Sequence, residues 1–234
     1  MPALDFDGDY GRRYRRSIRD SIPGYDVLHE IAAAAISSSA SDAKQALVVG
    51  PGPGEELAAQ LDASRTAQFT VLEPSEQMLT FCQQTLAKQG TLHRCHLRKS
   101  DLPSAFEAGL GDAGFELVIC HNVLHLFNGD QQSVMLRQLA AITAPGGMLL
   151  LSGYSEPEAI SDLQTLLEIG GQRLRDRGVE EEQVQTLLAS RNNVVFSLDA
   201  QRVNQELTAA GFERPMALYQ GLFARLWLGR RPCA

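Results

Sequence analysis

Glycines and acidic residues follow three apolar runs of this sequence, in positions where they could hold a nucleoside. The stretch ALVVGPGPG contains Gly50, Gly52 and Gly54, and Glu73 follows the next apolar run, 19 residues after Gly54. A glycine-rich turn between a strand and a helix lets a ligand lie against backbone amides. A carboxylate about 20 residues further on is typical of a ribose site, because it accepts both hydroxyl protons. A tight turn, with Glu73 as a helix-start acid, is the structural alternative.

A third acid, Asp101, ends the next apolar stretch in the sequence RKSDLP. Its carboxylate could accept a hydrogen bond from an adenine amino group, while the Leu102 amide reaches a ring nitrogen. Leu72, Met78 and Leu102 could enclose the ring, although a methionine on a helix is more often part of the core. The three acid and glycine positions together predict a site for an adenosine with a further group attached.

Two histidines, His121 and His125, flank the residues NVL after the fourth apolar run. An imidazole titrates near neutral pH, so His121 is a candidate catalytic base. The alternatives are that His121 offers only its backbone and that His125 serves packing. No third ligand is near them in the sequence, and we therefore predict no metal site.

Strand and helix patterns alternate along most of the chain, which predicts a doubly wound α/β sheet, mostly parallel, of the Rossmann-like kind. Seven strands are expected, with a final hairpin that turns at Gly221 and places an antiparallel last strand at the edge of the sheet. The carboxyl ends of the strands would then bring the glycines and acids to one crevice. Predicted strands cover residues 46–50, 68–74, 92–101, 115–121, 148–153, 214–221 and 222–229. Predicted helices cover residues 9–20, 26–37, 54–62, 75–90, 130–147 and 199–212.

We expect one domain over residues 1–234, with a helical lid at residues 1–38 and a helical insertion at residues 156–196. The chain is 44% hydrophobic and carries a net charge of −7, which argues against a broad nucleic-acid surface. The four cysteines show no spacing typical of disulfide pairs, which indicates a reducing compartment. No apolar run suits a secretory signal or a membrane span, so we expect a cytoplasmic protein. Arginines crowd residues 12–19, either as a solvated face or as a surface for an anionic group.

The motifs ALVVGPGPG, FTVLEPSEQML, KSDLP, FELVICHNVLHLF and ITAPGGMLLLSG together resemble those of class I S-adenosylmethionine-dependent methyltransferases. The resemblance covers residues 46–152 and implies that family's fold, with S-adenosylmethionine as the cofactor. Tyr10 and Tyr14 of the predicted lid could then face the sulfonium and stabilise it by cation–π contact. The alternative for Tyr14 is that it anchors the lid to the body of the protein.

The segments SIPGYDVLHEIAAAAI and GFERPMALYQGLFARLWLG are similar to those of carboxy-S-adenosylmethionine synthase. That family binds its ligand with residues whose counterparts here are Tyr25, Gly50, Pro51, Gly52, Glu73, Pro74, Asp101, Leu102 and His121. A helical lid shared with that family makes a homodimer possible.

Three positions depart from the synthase pattern. Val48 replaces an acid that helps to hold the ammonium group of the ligand, and backbone carbonyls of Gly50 and His121 would have to substitute. Leu188 stands where the synthase has an arginine that grips a carboxylate, with Arg191 one turn further on. His121 replaces an asparagine, so the synthase activity is in doubt.

The leading hypothesis is therefore a methyltransferase acting on a small molecule. The alternative is an enzyme that consumes S-adenosylmethionine without moving its methyl group. It could synthesise carboxy-S-adenosylmethionine, or it could close the amino-acid part into azetidine-2-carboxylate and release methylthioadenosine. An amine not held as an ammonium could act as the nucleophile of that ring closure. A non-catalytic binding module and a nicotinamide-dependent enzyme are the further alternatives.

Overall fold

A computed structural model describes residues 4–233, which form seven β-strands and nine α-helices. The strands are β1 (Gln45–Val49), β2 (Gln68–Leu72), β3 (Cys95–Arg98), β4 (Phe115–His121), β5 (Thr143–Tyr154), β6 (Met216–Gly221) and β7 (Ala224–Arg230). The helices are α1 (Asp9–Ser21), α2 (Tyr25–Ser39), α3 (Leu57–Ala63), α4 (Glu76–Lys88), α5 (Leu102–Glu107), α6 (Gly129–Ile142), α7 (Ile160–Asp176), α8 (Glu181–Ala189) and α9 (Ala200–Ala209).

All seven strands join one sheet in the order β3-β2-β1-β4-β5-β7-β6. Strands β1 to β5 are mutually parallel, and β7 runs antiparallel to both β5 and β6. The predicted doubly wound sheet with an antiparallel last strand is thus confirmed. The hairpin does not place that strand at the edge, however, because β7 inserts between β5 and β6.

The sheet is covered by apolar side chains on both faces, as parallel sheets require. Alternate residues of β1 show the division, since Leu47 and Val49 belong to one buried cluster and Ala46 and Val48 to the other. The first cluster includes apolar residues of α5, α6 and α9, and the second includes those of α2, α3 and α4. Strand β1 is therefore fixed from both sides, which makes its carboxyl end a rigid support for the glycine loop.

Several predicted boundaries differ from the observed ones. Helix α3 begins at Leu57 rather than at residue 54, because the preceding glycines adopt left-handed conformations. Helix α6 ends at Ile142, since Thr143 already pairs with Phe115 of β4. Strand β3 is limited to four residues because residues 92–94 form a short 3-10 turn.

The turn between β6 and β7 also differs from the prediction. Gly221 pairs with Ala224 as the last residue of β6, and Leu222 takes the left-handed conformation with φ of +51°. A short helix, α5, was not predicted from the sequence, and it begins directly after Asp101.

Helices α1 and α2 are tied to three other elements of the fold. The Gln77 side chain of α4 donates to the Phe6 carbonyl oxygen at 2.9 Å, which fixes the start of α1. The Tyr219 hydroxyl of β6 donates to the Pro23 carbonyl oxygen at 2.8 Å, which fixes the turn into α2. The Arg173 side chain of α7 donates to backbone carbonyl oxygens of Arg19 and Asp20 at the end of α1. The division into lid, body and insertion stays a prediction.

Candidate functional site

The glycine loop follows β1 and requires glycine at three positions. Gly50, Gly52 and Gly54 have φ values of +63°, +56° and +74°, which side chains with a Cβ rarely adopt. A Cβ on Gly54 would lie 2.8 Å from the Cys82 sulfur atom, whereas one on Gly52 would contact the Tyr14 ring at 3.5 Å. The loop backbone thus packs closely on α4 and faces α1.

Glu73 lies directly after β2, and its carboxylate is held by the glycine loop. One oxygen accepts from the Gly52 amide at 3.0 Å, and the other accepts from the Ser75 amide at 3.1 Å. Burial raises the pKa of this carboxyl, and these two hydrogen bonds act in the opposite direction. Each oxygen retains a lone pair for a ligand hydroxyl. The neighbouring Pro74 is exposed at the start of α4.

Asp101 has a structural task that its sequence position did not reveal. Its Oδ1 atom accepts from the Ser104 amide at 2.8 Å and caps the N-terminus of α5. Leu102 and Met78 are both buried, Leu102 in the cluster that contains β1 and β4. Asp101, Leu102 and Met78 border the same sheet edge as Glu73, and their contact with an adenine stays a prediction.

A small cavity lies beside the glycine loop, lined by the ends of β1 and β4 and by residues of α1, α2 and α3. We call it the histidine pocket, and its volume is about 20 Å³. It brings together five predicted site residues from separate segments, namely Tyr14, Tyr25, Gly50, Pro51 and His121. The lining residues are Tyr14, Tyr25, His29, Val48, Val49, Gly50, Pro51, Glu56, Leu57, Gln60, Ile119, His121 and Asn122.

Two neutral imidazoles meet in the histidine pocket. The His29 and His121 rings pack edge to face with centroids 5.0 Å apart, and the Tyr25 ring packs on His29 with centroids 4.6 Å apart. The Nδ1 atom of His121 shares a hydrogen bond of 3.0 Å with the Ser152 hydroxyl, which leaves Nε2 unpaired. Burial lowers the pKa of His29 to about 3 and that of His121 well below its usual value.

His29 and Glu56 are pocket residues that the sequence analysis missed. His29 follows Tyr25 by one helical turn on α2, so the pair shares a face, and that spacing was the available signal. Glu56 is the second residue after Gly54, where an acid is easily taken for a solvated residue. Burial raises the pKa of Glu56, whose side chain is only 12% exposed.

Both tyrosines of α1 pack on Phe6, and Tyr14 also lines the pocket. Tyr14 lines the pocket, whereas Tyr10 packs edge to face on Phe6 with ring centroids 5.3 Å apart. Tyr10 and Tyr14 are 6.0 Å apart by the same measure. Tyr10 is therefore placed to support Tyr14. Tyr10 is not among the residues that line the pocket, so a catalytic role for it stays a prediction.

His125 and Arg191, which were considered for metal binding and carboxylate binding, have partners within the protein. The Nδ1 atom of His125 accepts from the Tyr154 amide at 3.3 Å, which supports a packing role. Arg191 forms an ion pair with Glu156, so its charge is already balanced. Leu188 lies in a separate groove between α7 and α8. Within residues 4–233, no three His, Cys, Asp or Glu side chains cluster closely enough to hold a metal ion.

Residues 47–149 match a family model described as a methyltransferase domain. This range runs from β1 into β5 and contains the glycine loop, Glu73, Asp101 and His121. A comparison with curated proteins finds no sequence match. No helix among the described residues has the length and apolar character that crossing a membrane requires.

Solved structures of methyltransferases share the fold. Magnesium protoporphyrin IX methyltransferase from Synechocystis, with bound S-adenosylhomocysteine, superposes with a TM-score of 0.67 at 19% identity. The alignment covers 97% of this chain and 96% of that protein. An O-methyltransferase family protein from Burkholderia thailandensis has a TM-score of 0.67 at 13% identity, with 97% of this chain and 64% of that one aligned. The fold is therefore that of the class I methyltransferases.

Proposed function

We propose that the protein is a methyltransferase that uses S-adenosylmethionine and acts on a small molecule. The observation that carries the proposal is the Glu73 carboxylate, held against the Gly52 amide at the carboxyl edge of the sheet. The methyltransferase-domain match over residues 47–149 supports it. So do the Synechocystis enzyme structures, which were solved with S-adenosylhomocysteine and S-adenosylmethionine bound.

The cofactor would lie along the strand ends, with its ribose at Glu73 and its sulfur near the histidine pocket. When bound, S-adenosylmethionine supplies a methyl group on a sulfonium that needs no further activation. The protein then has to align an acceptor atom and exclude water. Tyr14 and Tyr25 close the pocket from the side of α1 and α2, and their rings suit a cationic sulfur.

His121 is the group best placed to receive a proton from the acceptor. Its Nδ1 atom is oriented by the Ser152 hydroxyl, and its Nε2 atom has no partner. The ring is neutral at physiological pH, because burial and the adjacent His29 lower its pKa. A neutral imidazole can accept a proton, and the lowered pKa makes His121 a weaker base than an exposed histidine.

Two observations weigh against the non-methylating alternatives. Arg191 is paired with Glu156, so it offers no uncompensated charge to the extra carboxylate of a carboxy-S-adenosylmethionine. Val48 does line the histidine pocket, as the ring-closure hypothesis requires, but Glu56 brings a carboxylate to the same pocket. An amine held as an ammonium by this carboxylate is not a nucleophile.

Mass spectrometry of the purified protein with S-adenosylmethionine tests the proposal directly. Without an acceptor, we expect unchanged cofactor. With a library of small hydroxy, amino and carboxylic acids, we expect S-adenosylhomocysteine together with a methylated product. Release of methylthioadenosine and a cyclic amino acid without any acceptor would overturn methyl transfer in favour of ring closure.

A further inference from the structure

Residues 5–8, which we call the N-terminal strap, precede α1 in the chain and pack on the start of α4. The Asp7 Oδ1 atom accepts from the Ser75 hydroxyl at 2.7 Å and from the Gln77 amide at 3.0 Å. The Gln77 side chain donates in return to two carbonyl oxygens of the strap, at 2.9 and 3.1 Å. The N-terminal strap is therefore attached to the first turn of α4, and the hydrogen bonds of Asp7 are charge-assisted.

The carboxylates of Asp7 and Glu73 meet at the same helix start. Ser75 connects them, because its amide donates to Glu73 at 3.1 Å and its hydroxyl donates to Asp7. The free amide groups at a helix N-terminus attract negative charge, so this position can hold both carboxylates. The N-terminal strap is thus fixed to the same residues that hold Glu73.

The site around Glu73 is closed in this structure. Glu73 and Ser75 are each 6% exposed, and the Tyr14 ring lies 3.5 Å from the place of a Cβ on Gly52. The Phe6 ring of the N-terminal strap packs against the Tyr14 ring, with centroids 6.0 Å apart. A buried carboxylate cannot receive a ribose from solvent, so neighbouring groups must move before a nucleoside can bind there.

Close packing at Gly11 makes the N-terminal strap and the first turn of α1 one unit. A Cβ on Gly11 would lie 2.2 Å from the Phe6 carbonyl oxygen and 2.4 Å from the Gln77 Nε2 atom. The Gly11 amide also donates to the Asp5 carbonyl oxygen at 3.3 Å. Release of the N-terminal strap from α4 should therefore free the start of α1, and Tyr14 with it.

We propose that Asp7 is a latch that holds the N-terminal strap on α4, and that its release sets the rate at which the cofactor enters and its product leaves. This inference rests on the proposed function, in which Glu73 binds the cofactor ribose. Asp7 acts through Ser75 and the N-terminal strap, so it is a positioning residue.

A latch of this kind changes rates more than affinity. When only the open form binds, the observed association rate constant is reduced in proportion to the fraction of open molecules. A weaker closed form raises that fraction, and association becomes faster. The N-terminal strap also closes over the bound ligand, so a weaker latch lets the ligand leave faster. The two effects largely cancel in the dissociation constant.

Surface plasmon resonance with S-adenosylhomocysteine, on protein attached through its C-terminus, measures both rate constants. Asp7→Ala removes both acceptor contacts with the start of α4. We expect it to raise the association and the dissociation rate constants about fivefold each, which is the usual equilibrium effect of losing a helix cap. The dissociation constant should change about twofold or less.

Asp9→Ala is the matched control. Asp9 has the same charge, lies two residues further along the chain, and pairs through its side chain with the exposed Arg12 rather than with α4. Such an exposed pair contributes little to stability, so we expect both rate constants to change about twofold or less.

A second variant, Gln77→Ala, loosens the N-terminal strap through other contacts and leaves Asp7 in place. It removes the side-chain donor to two carbonyl oxygens of the strap, so both rate constants should rise about threefold. Unfolding temperatures recorded for each variant show whether the fold is retained. A damaged fold would slow association, whereas an open latch makes it faster.

Faster dissociation from Asp7→Ala with unchanged or slower association would overturn the latch, because Asp7 would then contribute only to the bound state. Unchanged rate constants in Asp7→Ala, or equal changes in Asp7→Ala and Asp9→Ala, would also overturn it. The proposed function would survive each of these results. Failure of the unaltered protein to bind S-adenosylhomocysteine would overturn the proposed function, and the latch with it.

Discussion

Individual residues at this site are held by the protein in the form that a ligand would need. Glu73 is fixed by the Gly52 and Ser75 amides, so its carboxylate does not have to be ordered on binding. His121 is fixed by Ser152 and kept neutral by burial. Such preorganisation reduces the free-energy cost of binding, because fewer rotamers are lost.

Glu73→Gln should reduce the affinity for S-adenosylhomocysteine about tenfold or more, measured by calorimetry. The amide retains one acceptor oxygen, but its NH₂ group faces an amide donor of the protein, and a charge-assisted hydrogen bond is lost. Glu76→Gln is the matched control, because Glu76 is exposed and pairs with Lys99 at 2.7 Å. An equal effect of both changes would show that general charge, not the Glu73 contact, governs binding.

His29 should make the protein less stable in acid. The unfolded chain binds a proton near pH 6.5, whereas the folded protein does so only near pH 3. The contribution of the neutral ring is therefore lost as the pH falls through this range, and amounts to about 2 kcal/mol between pH 7 and pH 5. The free energy of unfolding is measured with urea at both pH values. Its fall from pH 7 to pH 5 should be about 2 kcal/mol smaller for His29→Phe than for the unaltered protein. His93→Phe, at an exposed position, should lose as much as the unaltered protein.

At the scale of elements, the ties between α1 and its neighbours decide how the pocket opens. The start of α1 is held by α4, and its end by α7. Each tie consists of a few hydrogen bonds, worth about 1 kcal/mol apiece. Movement of α1 should thus cost far less than unfolding the sheet.

Arg173→Gln should speed amide hydrogen exchange in residues 9–21 about fivefold, as followed by mass spectrometry. The change removes the donors to the Asp20 and Arg19 carbonyl oxygens and leaves the sheet untouched. Arg175→Gln lies on the same helix but breaks only a contact with Glu181 inside the insertion, at 2.7 Å. Faster exchange at residues 9–21 in both variants would contradict a specific tie between α7 and α1.

The elements were largely predictable from the sequence, and the contacts within the site were not. The sheet and most helices could be predicted from the alternation of apolar and polar runs, because strands that are buried on both faces consist mainly of apolar residues. The end of α6 and the turn at Leu222 were missed, since strand pairing overrode the local signals of Pro145, Gly146 and Gly221. His29 and Glu56 were missed because their significance depends on cavities that form only between distant segments.

At the scale of the whole molecule, a ligand that binds only the folded chain should stabilise all of it. S-Adenosylhomocysteine at about 100 times its dissociation constant should add about 2.7 kcal/mol. For a domain of this size that corresponds to a rise of roughly 5–10 °C in the unfolding temperature. Differential scanning fluorimetry with NAD as the matched ligand should show no rise. A rise with NAD alone would restore the nicotinamide-dependent alternative.

The position of β7 between β5 and β6 has a consequence for synthesis of the chain. Strand β5 has its final neighbour only after residues 224–230 have been made, and β6 has no other strand to pair with. Until then the apolar segment Met148–Leu151 lies at an open edge, where it could pair with another nascent chain. The growing polypeptide therefore passes through a stage prone to aggregation that ends only when its last strand closes the gap.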